Sequence, residues 1–454
     1  MARAAGGVPP AGEARWLPEV PAATPGGGPA AGQGTQGPTR AASPAAASAR
    51  ATPRAGGPEF ARAPAAEIAD EARPGKSPWE ATPYRNRDGA EKARALEQYG
   101  GSEETEAAVA RGLAYLAKIQ SRSGPSSGSW GDVSVVDPKY GRVAVGKTAL
   151  CVLAFLGAGH TPQSNTEHSA VVARALGFLL STQDEESGHF GDASAYDHGI
   201  STYAVAECYA LTRDGSLRPA LEKALAHVLA MQSRRNDPRF QGGWGYYFAD
   251  GSHYDPWPRT SITAWQVMAL ESARLSGLQV PDGSFDAARA FLEKAFDPQL
   301  GAYRYNHEPE RLSSVYATLP ASTPAALFAL ALLGEDVTSA RHRVSRDYVL
   351  ERAPDGYRFT GELDFVRRAR GNPYFWYYGT LAMFRVGGEE WRRWNVALQE
   401  CLLPAQGSDG AWDPLDPYAR YARDHGGDKS YTTALCVLSL EVYYRYYLPL
   451  LKVR

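Results

Sequence analysis

Two imidazoles and two carboxyls fall within one short stretch of the chain, at His189, Asp192, Asp197 and His198. Side chains of these types exchange protons near neutral pH once their surroundings are tuned, which makes Asp197, His198 and Asp192 the candidate catalytic groups. The stretch reads as a turn leading onto a helix, and a helix N-terminus stabilises the charge of nearby acids. The same residues also suit N-capping and turn formation, for which Asp is favoured on purely local grounds. Their spacing fits no standard metal-ligand pattern.

Aromatic residues gather in two further places. One group is Trp244, Tyr246, Tyr247, Tyr254, Trp257 and Trp265; the other is Tyr374, Phe375, Trp376, Tyr377 and Tyr378 with Tyr431. Aromatic faces lining a cavity hold an apolar chain or stabilise a cation, and aromatics near repeat turns also serve as core. Arg259, just before Thr260 and Ser261, is placed to pair with a diphosphate or carboxylate, or to stay a surface arginine. The candidate ligand-binding set is therefore Trp244, Tyr246, Trp257, Arg259, Trp265, Tyr374, Trp376, Tyr377 and Tyr431. The run Gly141 to Thr148 satisfies the phosphate-loop expression GxxxxGK[ST]. A true phosphate loop follows a buried strand, whereas Asp137-Pro138-Lys139-Tyr140 precedes this one, so it reads as a turn.

An internal repeat supplies the elements that must position these groups. A glycine is followed at once or after one residue by an aromatic at Trp130, Phe190, Trp244, Tyr303, Tyr357 and Trp412. The interval of roughly 55 residues suits a repeated helical hairpin. Before each turn, three-and-four spacing such as Val109, Leu113, Leu116 or Leu221, Leu225, Val228 predicts an amphipathic helix. After each turn comes a stretch apolar nearly all round, as from Thr148 to Leu156 or Ser261 to Leu275, which must be buried on every side. Alternation of the two kinds predicts an all-α fold, an (α/α)6 toroid of six helical hairpins with the apolar helices inside. Ser201, Ser261 and Thr323 are expected N-caps of inner helices, whose N-termini line one mouth of the ring.

Residues 102–454 are assigned to this toroid. Residues 1–64 are rich in Ala, Pro and Gly and poor in large apolar side chains, as expected of a disordered tail. Residues 65–101 form a lead-in segment along the folded surface. Forty-eight basic and fifty acidic residues nearly cancel, leaving a formal charge of −2 and no footprint of a nucleic-acid binder. The four cysteines are far apart, with no CxxC pair, which signals neither a disulfide framework nor a zinc module. No targeting or membrane-spanning segment stands out, so a cytoplasmic protein is expected. The apolar, aromatic and basic run from Val442 to Arg454 extends the last helix and seals the ring against the first repeat, or alternatively makes peripheral membrane contact.

Several outer helices end in Gln before the turn, at Gln120, Gln183, Gln232 and Gln406. Gln406-Gly407-Ser408-Asp409-Gly410-Ala411-Trp412 resembles the QW repeat of squalene and oxidosqualene cyclases. Gln232 with Gly242-Gly243-Trp244, followed by Thr263-Ala264-Trp265-Gln266, is similar to the same consensus. Asn372-Pro373-Tyr374-Phe375-Trp376 and Leu440-Glu441-Val442-Tyr443-Tyr444 resemble single-toroid bacterial proteins built from prenyltransferase/squalene-oxidase repeats. The resemblance implies an isoprenoid or other apolar small molecule in a central cavity, without a cofactor, and terpenoid-cyclase-like or prenyl-transferring chemistry if the chain is active. The cyclase acid motif D-x-D-D is missing, its nearest counterpart being Asp197-His198-Gly199-Ile200. The zinc ligands of the prenyltransferases are missing too, since Thr432 stands where their His would be. A non-enzymatic interaction scaffold is the alternative. Carbohydrate chemistry is a third, with Asp192 and Asp197 as its two carboxylates.

Overall fold

Two kinds of helix alternate along the chain because two kinds of surface must be satisfied. The computed structural model describes residues 84–136, 142–192, 195–232, 240–246, 257–305, 318–415 and 417–445. The described helices begin with α1 (Gly89–Tyr99), α2 (Glu103–Ile119), α3 (Ala144–Gly157), α4 (Ser169–Ser181), α5 (Ala195–Thr212), α6 (Arg218–Met231), α7 (Thr260–Leu275) and α8 (Asp282–Ala295). They continue with α9 (Ser322–Leu332), α10 (Arg343–Leu350), α11 (Glu362–Arg368), α12 (Pro373–Val386), α13 (Gly388–Leu402), α14 (Tyr418–Tyr421), α15 (Ser430–Leu440) and α16 (Val442–Arg445). A two-residue antiparallel pair, β1 (Phe296–Asp297) with β2 (Ala302–Tyr303), braces the fourth turn.

The apolar helices α3, α5, α7, α9, α12 and α15 each pack on the next, and α15 returns to pack on α3, which closes a ring. Every residue of α3 is buried, as is Thr260–Ala273 of α7, because neighbours lie on both flanks and an outer helix lies behind. Helices α2, α4, α6, α8, α10 and α13 cover the outside; α2, for example, buries Val109, Leu113 and Leu116 and leaves its charged side to solvent. The described residues bear out the all-α toroid.

The recurring Gln, Gly and aromatic residues have one mechanical explanation. The Gln120 amide donates to Gly128 O of its own turn and to Val171 O of the next outer helix. Gln183 does the same to Gly188 O and Ala220 O, and Gln232 to Gly242 O and Ser284 O. Gln406 donates to Gly410 O and to Ala108 O of α2, so the last repeat is tied to the first by the same device. Each amide fills carbonyl positions that a helix end or turn leaves open. At Gly242 the backbone has φ of +87°, and an added Cβ would lie 2.0 Å from Ala287 O of the neighbouring outer helix. Only glycine allows that approach.

The indole N–H groups of Trp130, Trp244 and Trp412 donate to Leu116 O, Val228 O and Leu402 O of the preceding outer helix. Their backbone N–H groups donate instead to the hydroxyls of Thr148, Thr263 and Thr433 on the following inner helix. This explains one difference from expectation. Helix α5 starts at Ala195, upstream of Ser201, and Thr323 lies inside α9, where its hydroxyl accepts the Tyr303 N–H. Thr148, Thr263, Thr323 and Thr433 hold turns rather than cap their own helices, and Ser261, inside α7 after its cap Arg259, bonds to Tyr196 instead.

The far end of the ring is sealed by both ends of the described chain. Tyr84 and Arg87, just before α1, are buried at the base rather than laid along the surface. Arg87 donates to Leu156 O and Glu207, while Arg445 of α16 donates to Leu153 O and pairs with Glu207 and Glu441. Burial raises the Glu441 carboxyl well above the usual carboxylate range, with Arg445 and Arg87 pulling it back. The seal expected of the C-terminal run is thus present in Val442–Arg445. Residues 446–454 lie outside the described residues, as does the whole of the 1–64 tail. No helix among the described residues is long and apolar enough to cross a membrane.

Candidate functional site

The cluster in the second repeat divides between two jobs. His198 is wholly buried on the outward side of α5. Its Nδ1 accepts the Phe190 N–H at 3.0 Å and its Nε2 meets Ala224 O of α6 at 3.1 Å. The proton therefore sits on Nε2, and the imidazole takes the place that threonine holds in four other repeats. His189 stacks on it at 4.8 Å between ring centres, and His227 of α6 completes an edge-on trio at 4.7 and 4.9 Å. Burial lowers all three imidazoles, His198 well below and His189 to about 4.

The two acids turn toward α3. Asp192 pairs with the Arg142 guanidinium and accepts its N–H. Asp197 is buried, with Oδ1 accepting the Gly146 N–H at 3.0 Å and Oδ2 without a hydrogen-bond partner among the described residues. Burial lifts its carboxyl well above the usual range; the Gly146 bond opposes this and the Asp192 charge adds to it.

A different constellation forms at the N-terminal ends of the inner helices. Tyr196, in the first turn of α5, hydrogen-bonds to Ser261 of α7 at 2.7 Å and meets the Tyr246 ring edge-on at 5.7 Å. The Tyr246 hydroxyl contacts that of Tyr305 at 3.1 Å. Across the ring, the Trp265 indole of α7 donates to Tyr374 of α12 at 2.9 Å, stacks on Tyr377 at 5.8 Å and meets Tyr378 edge-on. Tyr374 packs against Tyr418 at 5.7 Å. Burial raises Tyr196, Tyr374, Tyr418 and Tyr431, and each phenol is pushed further by neighbouring phenols of the same group. The phenols stay neutral, able both to donate and to accept. Arg259 is buried beside them, its guanidinium 5.8 Å from the Tyr305 ring and donating to Trp257 O.

Below this layer the described side chains pack against one another. Trp265, Tyr377 and Tyr378 are buried, and Tyr378 reaches Met268 across the lumen. Nearer the base, a cavity of about 20 Å³ lies among Tyr84, Tyr203, Met268 and Phe328, too small for more than a single water.

At the edge of the mouth the Lys147 ammonium of α3 lies 2.9 Å from Asp424 and 2.8 Å from Asp428. Asp424 accepts the N–H groups of Tyr431 and Thr432, the open donors at the start of α15. Burial alone would lower Lys147, yet the two carboxylates hold it above the ordinary lysine value. Burial raises Asp424 despite Lys147. The lysine of the phosphate-loop-like run is thus engaged with two acids of the sixth repeat.

Of the residues singled out by sequence, Tyr246, Arg259, Trp265, Tyr374, Tyr377 and Tyr431 come together at or just below the mouth. Trp257 sits edge-on to Phe240 at 4.6 Å, next to Arg259. Trp244 is wholly buried between layers, and Trp376 lies outward beside Tyr357 at 5.7 Å. Tyr247 and Tyr254 lie outside the described residues. Sequence reasoning passed over Tyr196, Tyr305, Tyr418 and the Lys147–Asp424 pair. The position of Tyr196, one residue before Asp197, was the available signal.

No family model matches the chain, and no curated protein matches its sequence. Solved structures do match. A type II terpene cyclase from Scytonema, in complex with geranylgeranyl dihydroxybenzoate, superposes with a TM-score of 0.50 at 14% identity, over 78% of this chain and 99% of that one. A D-mannose isomerase gives 0.53 at 13% identity, over 74% and 96%. The GH76 α-mannanase BT2949 from Bacteroides thetaiotaomicron gives 0.53 at 10% identity, over 77% and 98%. The fold is that of the α/α toroids. Identities this low concern architecture, and the three similar proteins differ in their activities.

Proposed function

We propose that the protein binds a compact apolar small molecule of the isoprenoid kind at the tyrosine-lined mouth of its ring. The observation that carries this reading is the convergence of Tyr196, Tyr246, Tyr305, Tyr374, Tyr418 and Tyr431, from five repeats, with Tyr374 hydrogen-bonded to the Trp265 indole. Aromatic faces offer a large apolar contact area with few rotatable bonds, and the hydroxyls that brace one another keep that area in place. The likeness to a cyclase solved with a geranylgeranyl substrate supports the choice of ligand class. A ligand held here rests on the Trp265 layer and does not thread the ring, because Trp265, Tyr377 and Tyr378 below it are buried among the described residues.

The reading is binding first and catalysis second. Protonating an alkene takes a strong, preorganised acid facing the substrate. Asp192 is engaged by Arg142 just before α3, Asp197 by Gly146 in its first turn, and Asp424 by Lys147 and the α15 backbone. These engagements likewise remove support from the carbohydrate reading, which needs two carboxylates facing a sugar. The burial of Tyr203 and Trp265 favours a non-enzymatic scaffold as the second reading. Incubating the full chain with a panel of polyprenyl alcohols and diphosphates, followed by extraction and mass spectrometry, separates the two. Retention of one class at a fixed stoichiometry supports the mouth site, and retention of none leaves the scaffold.

A further inference from the structure

Away from the tyrosine layer, a cleft of about 370 Å³ opens between the C-terminal ends of α10 and α11 in the fifth repeat. Its lining includes Arg352, Arg367, Arg368 and Arg370, opposed by Glu351 and Asp355, with Trp376 also on the wall. Asp364 also lies 3.8 Å from Arg368 and 3.6 Å from Arg370, so four guanidiniums against three carboxylates leave an excess of one positive charge. Asp355 is already committed to Arg370 at 2.9 Å, and Glu351 is well exposed at 3.6 Å from Arg352. Arg367 has no ion pair among the described residues. Arg352 is fixed in place: it lies 3.6 Å over the Tyr348 ring and donates to Tyr348 O and Arg367 O. The chain brings Arg370 back toward the same cleft by placing Ala369 at φ of +55°.

A second, independent feature belongs to the same wall. The Trp376 indole is 1% exposed, and its Nε1 has no hydrogen-bond partner among the described residues. A buried donor left open is costly in an isolated fold and is satisfied when an acceptor arrives.

We infer that this cleft is an anion site for a phosphorylated small molecule. Several planar guanidiniums, one of them held rigid, match phosphate oxygens through paired N–H donors. The net positive wall, with Arg367 outside any ion pair among the described residues, attracts a phosphate monoester, which carries about −1.5 to −2 near pH 7. The indole adds a flat apolar wall and an N–H for the remainder of the ligand. A cleft of this volume takes a small ligand, not a macromolecule. The site is independent of the proposal for the tyrosine mouth.

The test is calorimetric titration of the full chain with inorganic phosphate and with phenyl phosphate, at ionic strength matched by sodium chloride. Saturable binding is expected, with phenyl phosphate the tighter of the two. Arg367→Ala/Arg368→Ala should weaken it at least about tenfold, the loss expected when paired charge-assisted bonds are removed. Replacing Arg393, an exposed arginine of α13, should change nothing. If circular dichroism shows that the double variant does not fold, Arg367→Gln carries the test and should weaken binding several-fold. A heat that tracks ionic strength without saturating, or equal affinity in the wild type and the folded variant, would overturn the assignment.

Discussion

His198 invites the sharpest perturbation, because the structure gives it the role that threonine plays elsewhere in the ring. In His198→Ala the buried Phe190 N–H loses its acceptor, and a void opens between α5 and α6. An orphaned buried donor costs about 1–3 kcal/mol, and the void adds a comparable amount, so a loss of about 4 kcal/mol is expected. His198→Thr restores the acceptor, as Thr148, Thr263, Thr323 and Thr433 provide it, but leaves the void; about half the loss should return. The pH dependence follows from the same contacts. Burial holds His189 at about 4 against an ordinary 6.5, and holds His198 and His227 below the ordinary value as well. Unfolded imidazoles take up a proton first as the pH falls. Stability from the neutral trio is therefore complete above 6.5 and is lost as the pH drops toward 4, with His189 alone accounting for about 3 kcal/mol. Urea melts followed by circular dichroism at pH 7.5 and pH 5 read both effects. The reasoning fails if His198→Thr is no more stable than His198→Ala, or if neither differs from the wild type.

Other perturbations probe the lacing and the mouth. Trp244→Ala and Trp412→Ala should each lower stability by about 3–5 kcal/mol in the same melts, since both indoles are wholly buried and hydrogen-bonded. Gln406→Ala removes the bonds to Ala108 O and Gly410 O, and should cost about 1–3 kcal/mol while raising amide exchange in α2 and in the Gly410 turn. Lys147→Met leaves Asp424 buried without its cation, for a loss of about 3–5 kcal/mol at pH 7 that shrinks in acid as the carboxyl takes up a proton.

The architecture was legible because it depends on patterns that repeat. Gly410 and Trp412, behind Gln406, carry the same spacing as Gly242 and Trp244 behind Gln232, and a recurring order can be read without knowing what the groups touch. Direction within a helix was less legible. Tyr196, Asp197 and His198 are consecutive, yet one faces the mouth, one α3 and one the outer layer, because successive helical residues are rotated by about 100°. The acid and the imidazole drew attention for their chemistry, whereas the tyrosine beside them occupies the mouth. Trp376 shows the converse: its aromatic neighbours Tyr374, Tyr377 and Tyr378 meet Trp265, while Trp376 looks outward to Tyr357. Long-range pairs such as Lys147 with Asp424, or Arg87 with Glu207, bring together residues whose separation carries no local signal. They emerge only once the ring closes.

Equilibrium binding of geranylgeraniol to the wild type and to Tyr246→Ala/Tyr431→Ala bears most directly on the tyrosine mouth. Both rings are partly exposed, so the double variant should keep its fold. Saturable binding of one molecule per chain, weakened about tenfold or more in the variant, is the predicted result. No binding by the wild type, or equal binding by both proteins, would contradict it.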